Sequence, residues 1–145
     1  MSSTAEQLTQ LLGPLRRALL RSTQGIEGLP NLPDAQIELL RALAATGEIT
    51  PGDLAAQVGL ARSTVSNLLR VMGAEGLVER RLNTSDGRST VLVASPRALE
   101  LLERYDQASS ALLDDVFTGL TEEERRRLAD ALPVLNRLQE ELSRR

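Results

Sequence analysis

The sequence contains no cysteine, no histidine and no lysine. Without cysteine the chain has no disulfide, no thiolate metal site and no thiol redox switch. Without histidine it has no imidazole metal ligand, no Ser-His or Cys-His nucleophile pair, and no side chain of the kind that usually titrates near neutral pH. We therefore expect neither a metal nor a cofactor, and the commonest kinds of catalytic site are excluded.

Aromatic residues and long apolar runs are also scarce. Tyr105 and Phe117 are the only aromatic residues, whereas 29 of the 145 residues are leucine. A leucine-rich core with few aromatic residues and no long β-branched runs favours helices. No apolar run approaches the ~20 residues of a membrane-spanning helix, and the first residues do not resemble a signal peptide. The chain is expected to be cytoplasmic.

The charge is distributed unevenly along the chain. The net charge is −3, but residues 60–97 carry six arginines against three acids, while the segments on either side are acidic. All 17 basic residues are arginine, which suits bidentate recognition of phosphate and guanine. An acidic protein binds a polyanion when its basic groups share one face.

Apolar spacing and capping residues predict the element order. The expected elements are a helix over 4–22, a helix over 35–46 capped by Asp34, an extended piece over 48–50, helices over 53–58 and 61–74, strands over 77–82 and 89–93, and helices over 96–117 and from Thr121 to the C-terminus. Pro14 should bend the first helix or reset its start, and Pro133 should kink the last one. This order predicts a mostly α, winged helix-turn-helix fold with a two- to three-stranded wing.

The segment between Asp53 and Arg70 has the spacing of two helices joined by a tight turn. Ala55 allows the helices to cross closely, Gly59 makes the turn, and Val65 packs the second helix on the first. The opposite face of the second helix is short, polar and positive, as a helix in the major groove requires. Its candidate DNA-binding residues are Arg62, Ser63, Thr64, Ser66, Asn67 and Arg70.

The predicted wing carries further arginines. Arg88 follows the hairpin turn Asp86-Gly87, so it can enter a narrow minor groove, and Asp86 can hold its guanidinium by a bidentate pair. The same pair could also serve only to stiffen the turn. Arg80 and Arg81 should point to opposite faces of the first wing strand, so at most one of them faces phosphate.

The sequence resembles the MarR-type transcriptional regulators. The resemblance rests on Gln36, Leu40, residues 53–69, residues 76–80, the wing over 86–92 and the capping box over 121–124. Ala61 departs from the pattern, because the family often has a capping Ser or Asp there. Residues 94–96 also depart from the usual Leu-Thr step into the long helix.

The resemblance implies a bacterial, sequence-specific DNA-binding regulator, most often a repressor. It implies a homodimer built from intertwined terminal helices, with a dimerisation segment over 1–33, a DNA-binding domain over 34–95 and dimerisation helices over 96–145. Leucine stripes agree with this, because one small winged helix cannot cover them. They are Leu8, Leu11, Leu12, Leu15 and Leu19 in the first helix and Leu128, Leu132, Leu135, Leu138 and Leu142 in the last.

Family members often release DNA when a small phenolic or other aromatic effector binds among the first, second and fifth helices. The polar candidates there are Arg16, Arg17, Arg21, Gln36 and Tyr105, which form no recognisable ligand signature. The effector site therefore stays unassigned, and so do the operator and the regulated genes.

Two other classes of function fit the sequence less well. An enzyme is disfavoured because the acid clusters 114–115 and 122–124 place adjacent residues on a helix, where they do not face each other. A winged helix that binds a protein partner instead of DNA should carry an apolar or acidic recognition face. The polar and basic face around Asn67 argues against that alternative.

Overall fold

A computed structural model describes residues 1–26, 28–83 and 89–145. The elements in these ranges are α1 (Thr4–Thr23), α2 (Asp34–Thr46), α3 (Pro51–Val58), α4 (Arg62–Ala74), β1 (Val78–Leu82), β2 (Thr90–Ala94), α5 (Pro96–Phe117) and α6 (Glu122–Ser143). The order confirms the predicted mostly α, winged helix-turn-helix fold. No helix in the described ranges is long and apolar enough to cross a membrane.

Two compact units make up the described chain, Met1–Ala108 and Ser109–Arg145. The division into functional segments at residues 33 and 95 stays a prediction, since compactness of the backbone does not report the role of a segment. The first unit contains the buried core. Its largest fully buried side chains are Leu39, Leu40, Leu43, Leu54, Val65, Met72, Leu77 and Leu92. Leucine thus fills the space that aromatic residues usually occupy.

The start of α2 differs from the prediction. The sequence predicts Asp34 as the cap of the helix, but Pro33 is the N-cap residue and Asp34 is the first helical residue. The carboxylate of Asp34 instead forms an ion pair with Arg16 of α1, which also contacts Glu38. The hydrogen bond to Asp34, which has the larger effect, and the hydrogen bond to Glu38 raise the pKa of the Arg16 guanidinium above its ordinary value. Asp34 therefore links two helices instead of capping one.

The inward face of α2 is apolar. Ile37, Leu40 and Leu43 are buried, whereas Ala44 is exposed. Leu39, which lies outside the stripe that these three buried residues form, is also fully buried. Neighbouring residues therefore cover more of the circumference of α2 than one apolar stripe.

The proline-containing helices α1 and α6 are both continuous. Pro14 does not reset the start of α1, which begins at Thr4 behind a capping box formed by Ser3 and Glu6. Pro133 lies inside α6, whose predicted capping box is confirmed: Thr121 Oγ1 accepts from the Glu124 N–H at 3.1 Å, and Glu124 accepts from the Thr121 N–H at 2.8 Å. Strong caps define both starts.

The wing is an antiparallel pair in which Val78 lies opposite Ala94 and Leu82 lies opposite Thr90. Ile49, between α2 and α3, adds a third extended segment by exchanging two backbone hydrogen bonds with Leu92. The backbone of the wing is therefore anchored on the side that faces the core, where Leu92 is fully buried.

Ser95 joins the wing to α5 and to the turn after α4. Its side chain is buried; the hydroxyl donates to the Gly76 carbonyl at 2.6 Å and accepts from the Ala98 N–H at 3.1 Å. The second bond caps the start of α5. The first bond has no local sequence signal, because it joins residues that are distant in sequence.

We expect Ser95→Ala to lower the free energy of unfolding by about 1–3 kcal/mol, because it removes a helix cap and leaves the Gly76 carbonyl without its donor. Urea denaturation at a fixed protein concentration measures the change. Ser110→Ala, at an exposed position inside α5, is the matched control. Equal denaturation midpoints for the two variants would contradict the role assigned to Ser95.

Candidate nucleic-acid interface

The turn between α3 and α4 fixes the angle at which the two helices meet. Gly59 adopts a left-handed conformation with φ of 70°, and its N–H donates to the Ala55 carbonyl at 3.0 Å. Leu60 N–H donates to the same carbonyl at 3.2 Å. Ala55 is 4% exposed, so a larger side chain there would force the helices apart. The predicted roles of Ala55 and Gly59 are both seen.

The two helices of this motif begin differently. Thr50 Oγ1 accepts from the Asp53 N–H at 3.2 Å, and Pro51 occupies the first helical position of α3, two residues before the predicted start. Ala61 is the N-cap of α4 and provides no side-chain hydrogen bond. The start of α4 therefore depends on packing and on the turn rather than on a cap.

The inner face of α4 anchors it to the core. Val65, Leu69 and Met72 are 1%, 3% and 0% exposed, and Leu68 is half-buried. The structure places the six predicted residues of α4 on its exposed surface, and no acid occurs between residues 62 and 74. They are Arg62, Ser63, Thr64, Ser66, Asn67 and Arg70. The outer surface of α4 is therefore rich in hydrogen-bonding groups and carries only positive charge.

The two arginines of α4 are not neutralised by the described residues. Five other arginines in those ranges form ion pairs with carboxylates: Arg16, Arg41, Arg81, Arg127 and Arg144. Arg62 and Arg70 have neither an ion pair nor a side-chain hydrogen bond within residues 1–26, 28–83 and 89–145. Their guanidinium donors are available to an external acceptor.

Arg62 lies against the beginning of α3. A methyl group placed on Gly52 would lie 2.6 Å from Arg62 Nη2 and 3.5 Å from its Cζ, so the guanidinium occupies the space that a side chain at residue 52 would need. Together with Pro51, Val65 and Ser66, these two residues line a cleft of about 220 Å³. The sequence indicates only a helix start at residues 50–53, and only the fold reveals the contact with Arg62.

Asn83, which follows β1, and Ser89, which precedes β2, are hydrogen-bonded to each other. Asn83 N–H donates to the Ser89 carbonyl at 2.8 Å, and the Asn83 amide donates to Ser89 Oγ at 3.2 Å. Arg81 pairs with Glu79, two residues earlier, at 3.1 Å. The predicted wing-tip residues Asp86 and Arg88 lie outside the described residues.

Three of the polar candidates for an effector site have clear surroundings. The hydroxyl of Tyr105, 8% exposed, donates to the Pro30 carbonyl and accepts from the Leu32 N–H at 3.4 Å. Arg16 is held by its two carboxylates. Gln36 is 4% exposed, and its Oε1 has no hydrogen-bond partner among the described residues. Tyr105 and Arg16 therefore serve internal contacts, whereas Gln36 retains an unused acceptor.

Comparison with known proteins agrees with this geometry. Residues 31–89 match the sequence model of the MarR family. The chain is 27% identical over 133 residues to the uncharacterised HTH-type transcriptional regulator YdgJ of Bacillus subtilis, covering 90% of this chain and 77% of YdgJ. It is 28% identical over 124 residues to the HTH-type transcriptional repressor IacR of Pseudomonas putida, covering 83% and 74% of the two chains.

The chain is therefore similar, over residues 31–89, to the MarR family. Its fold also matches the crystal structure of a MarR mutant from Escherichia coli with a TM-score of 0.77, at 18% identity, over 93% of this chain and 97% of the other. These relatives are transcriptional regulators and not enzymes. The segment that matches the family model contains α2, α3, α4 and β1.

The uncapped start of α4 gives a test of its local stability. We expect Ala61→Ser to raise the free energy of unfolding by about 1 kcal/mol, because the new hydroxyl can accept from a free N–H in the first turn. Thr50→Ala removes the corresponding cap of α3 and should lower the free energy of unfolding by about the same amount. Urea denaturation of both variants measures the two changes. A fall in stability for Ala61→Ser would show that the start of α4 is already satisfied.

Proposed function

We propose that the chain is a homodimeric repressor that inserts α4 into the major groove of a pseudo-palindromic operator. The observation that carries this proposal is the acid-free exposed face of α4, which holds two arginines without partners among the described residues. In helix-turn-helix proteins the second helix enters the groove and the first crosses the DNA backbone. Since α3 and α4 are joined by a tight turn and packed through buried side chains, α4 is presented as a rigid unit.

The residues of α4 take different roles in this proposal. Ser63, Ser66, Asn67 and Arg70 read or approach base edges in the major groove, where Asn pairs with adenine and Arg with guanine. Arg62 and Thr64, near the start of the helix, hold phosphate.

The wing is proposed to reach the neighbouring minor groove. Its strands, closed by the Asn83–Ser89 pair, lead to the tip that carries Arg88, with Asp86 as its support. A narrow minor groove has the most negative potential of the duplex and attracts arginine.

The apolar surfaces of the terminal helices support dimerisation. On α1, Leu11, Leu12 and Leu15 are 50–57% exposed. On α6, the stripe comprises Leu128, Leu132, Leu135, Leu138 and Leu142, each 37–62% exposed. Exposed leucine at this density normally marks an interface. In a two-fold dimer the two copies of α4 would lie about one DNA turn apart, with half-sites ~10 bp between centres.

Release by a small aromatic or phenolic effector completes the proposal. Within the first unit, a cleft of about 330 Å³ is lined by Ile26, Leu29, Arg104, Gln107 and Ala108. It is an open cleft lined by three apolar and two polar residues, and we propose it as the place where such an effector binds. The repressor role is supported by the relative IacR, which is described as a transcriptional repressor.

Substitutions in α4 test the DNA-binding role. The probe is fluorescently labelled DNA from upstream of the protein's own gene, with a scrambled duplex for comparison. We expect Asn67→Ala to lose about 1–3 kcal/mol of affinity for the upstream DNA and to discriminate less between the duplexes, because a base contact is removed. Fluorescence anisotropy gives both affinities.

Arg126→Ala, which removes an exposed charge from α6, is the matched control and should bind like the wild type. Unchanged affinity and discrimination for Asn67→Ala would contradict base reading by α4. A wild-type protein that binds neither duplex at low salt would favour a protein partner over DNA.

The oligomeric state tests the second part of the proposal. Leu135→Glu combined with Leu138→Glu places two charges in the α6 stripe and should convert the dimer to a monomer with much weaker DNA binding, because burial of an unpaired carboxylate is costly. Analytical ultracentrifugation measures the mass. Arg137→Glu lies on the opposite side of the helix and should leave the dimer intact. A wild-type protein that sediments as a monomer at micromolar concentration would contradict the proposed interface.

A further inference from the structure

We propose that Gly52, at the start of α3, is a positioning residue for DNA binding, because its missing side chain fixes where the Arg62 guanidinium lies. The inference rests on the proposed function, in which Arg62 holds a DNA phosphate. Arg62 belongs to the recognition helix, whereas Gly52 belongs to the helix before it. The two residues meet across the angle between these helices.

The contact is close and specific. An added methyl group at Gly52 would lie 2.6 Å from Arg62 Nη2, 3.5 Å from Cζ and 3.8 Å from Nε. A separation of 2.6 Å is far inside van der Waals contact, so the guanidinium could not keep its place beside any larger residue. Since Arg62 has no ion pair or hydrogen bond within the described residues, packing against the first turn of α3 is what restricts its long side chain.

The position of this contact matters for binding DNA. The first helix of a helix-turn-helix crosses the DNA backbone, while the second starts at the groove. A guanidinium that lies across the start of α3, at the beginning of α4, is therefore directed to the strand that α3 crosses. Arginine loses much side-chain freedom when it binds phosphate, and a guanidinium already confined by Gly52 loses less.

Glycine is not required at residue 52 for the fold. The residue lies in the first turn of α3, and its φ is not in the left-handed region, unlike that of Gly59 or Gly76. Alanine is the better helix former. The atom that would collide with the new methyl group is the end of a flexible side chain. Gly52→Ala should therefore displace Arg62 without unfolding the protein.

The test is a double-mutant cycle with the full-length protein and labelled DNA from upstream of its own gene. Wild type, Gly52→Ala, Arg62→Ala and the double variant are compared by fluorescence anisotropy over a series of salt concentrations. Gly73→Ala is the matched control, because Gly73 is also helical and a methyl group there would contact nothing within 4 Å among the described residues. Thermal unfolding verifies that each variant is folded.

We expect Arg62→Ala to weaken DNA binding about tenfold and Gly52→Ala to weaken it at least about threefold. In both variants the affinity should depend less steeply on salt, because about one counterion fewer is released per half-site. The double variant should bind like Arg62→Ala alone, since Gly52 acts only through Arg62. Gly73→Ala should bind like the wild type.

Three results would overturn the inference. If Arg62→Ala weakens binding and Gly52→Ala does not, Gly52 has no positioning role, although the proposed DNA contact stands. If the two losses multiply in the double variant, Gly52 acts independently of Arg62. If Arg62→Ala binds like the wild type, the phosphate contact itself is wrong, and the role of Gly52 fails with it.

Discussion

The rest of the interface depends on the close crossing of α3 and α4. Ala55 and Gly59 bring the backbones together, and the buried face formed by Val65, Leu69 and Met72 fixes the rotation of α4 about its own axis. A helix whose inner face is packed at interior density has only one outer face to present. The polar and positive surface of α4 is therefore a consequence of how its apolar face is buried.

Four of the described arginines illustrate two different surroundings for the same side chain. Arg16 and Arg41 tie α2 to α1 and α5 through carboxylates, and these exposed pairs contribute little stability individually. Arg62 and Arg70 have no such partners in the described ranges. An unpaired guanidinium on a folded surface adds little to stability, but it is ready for phosphate or a base edge. The same residue type thus holds helices together in α1 and α2 and has no such partner on α4 within the described residues.

Most of the fold could be predicted from the sequence, because its signals are local. Caps such as Thr50 and Thr121, turn glycines such as Gly59, and the spacing of apolar residues depend only on neighbours in the chain. The differences arise where a distant partner decides the outcome. Asp34 resembles a cap when only its neighbours are considered, but Arg16, 18 residues earlier, binds its carboxylate.

The sequence also predicts which residues of α4 are exposed, but not the contacts that they make. The exposed residues of α4 follow from helical periodicity once the buried face is known. The contact between Gly52 and Arg62 does not follow from periodicity, because it depends on the angle between two helices and on one side-chain conformation. Tyr105 shows the reverse case: a polar side chain that the sequence offers as a ligand group is bonded to the backbone around Pro30 and Leu32.

The central claim is that two copies of this chain read DNA through α4. Selection from a random pool of DNA duplexes by the purified protein, followed by sequencing of the bound fraction, tests it whatever the operator sequence is. The account predicts enrichment of one pseudo-palindromic sequence with half-sites about one helical turn apart. A bound fraction with no sequence enrichment over the starting pool would contradict it.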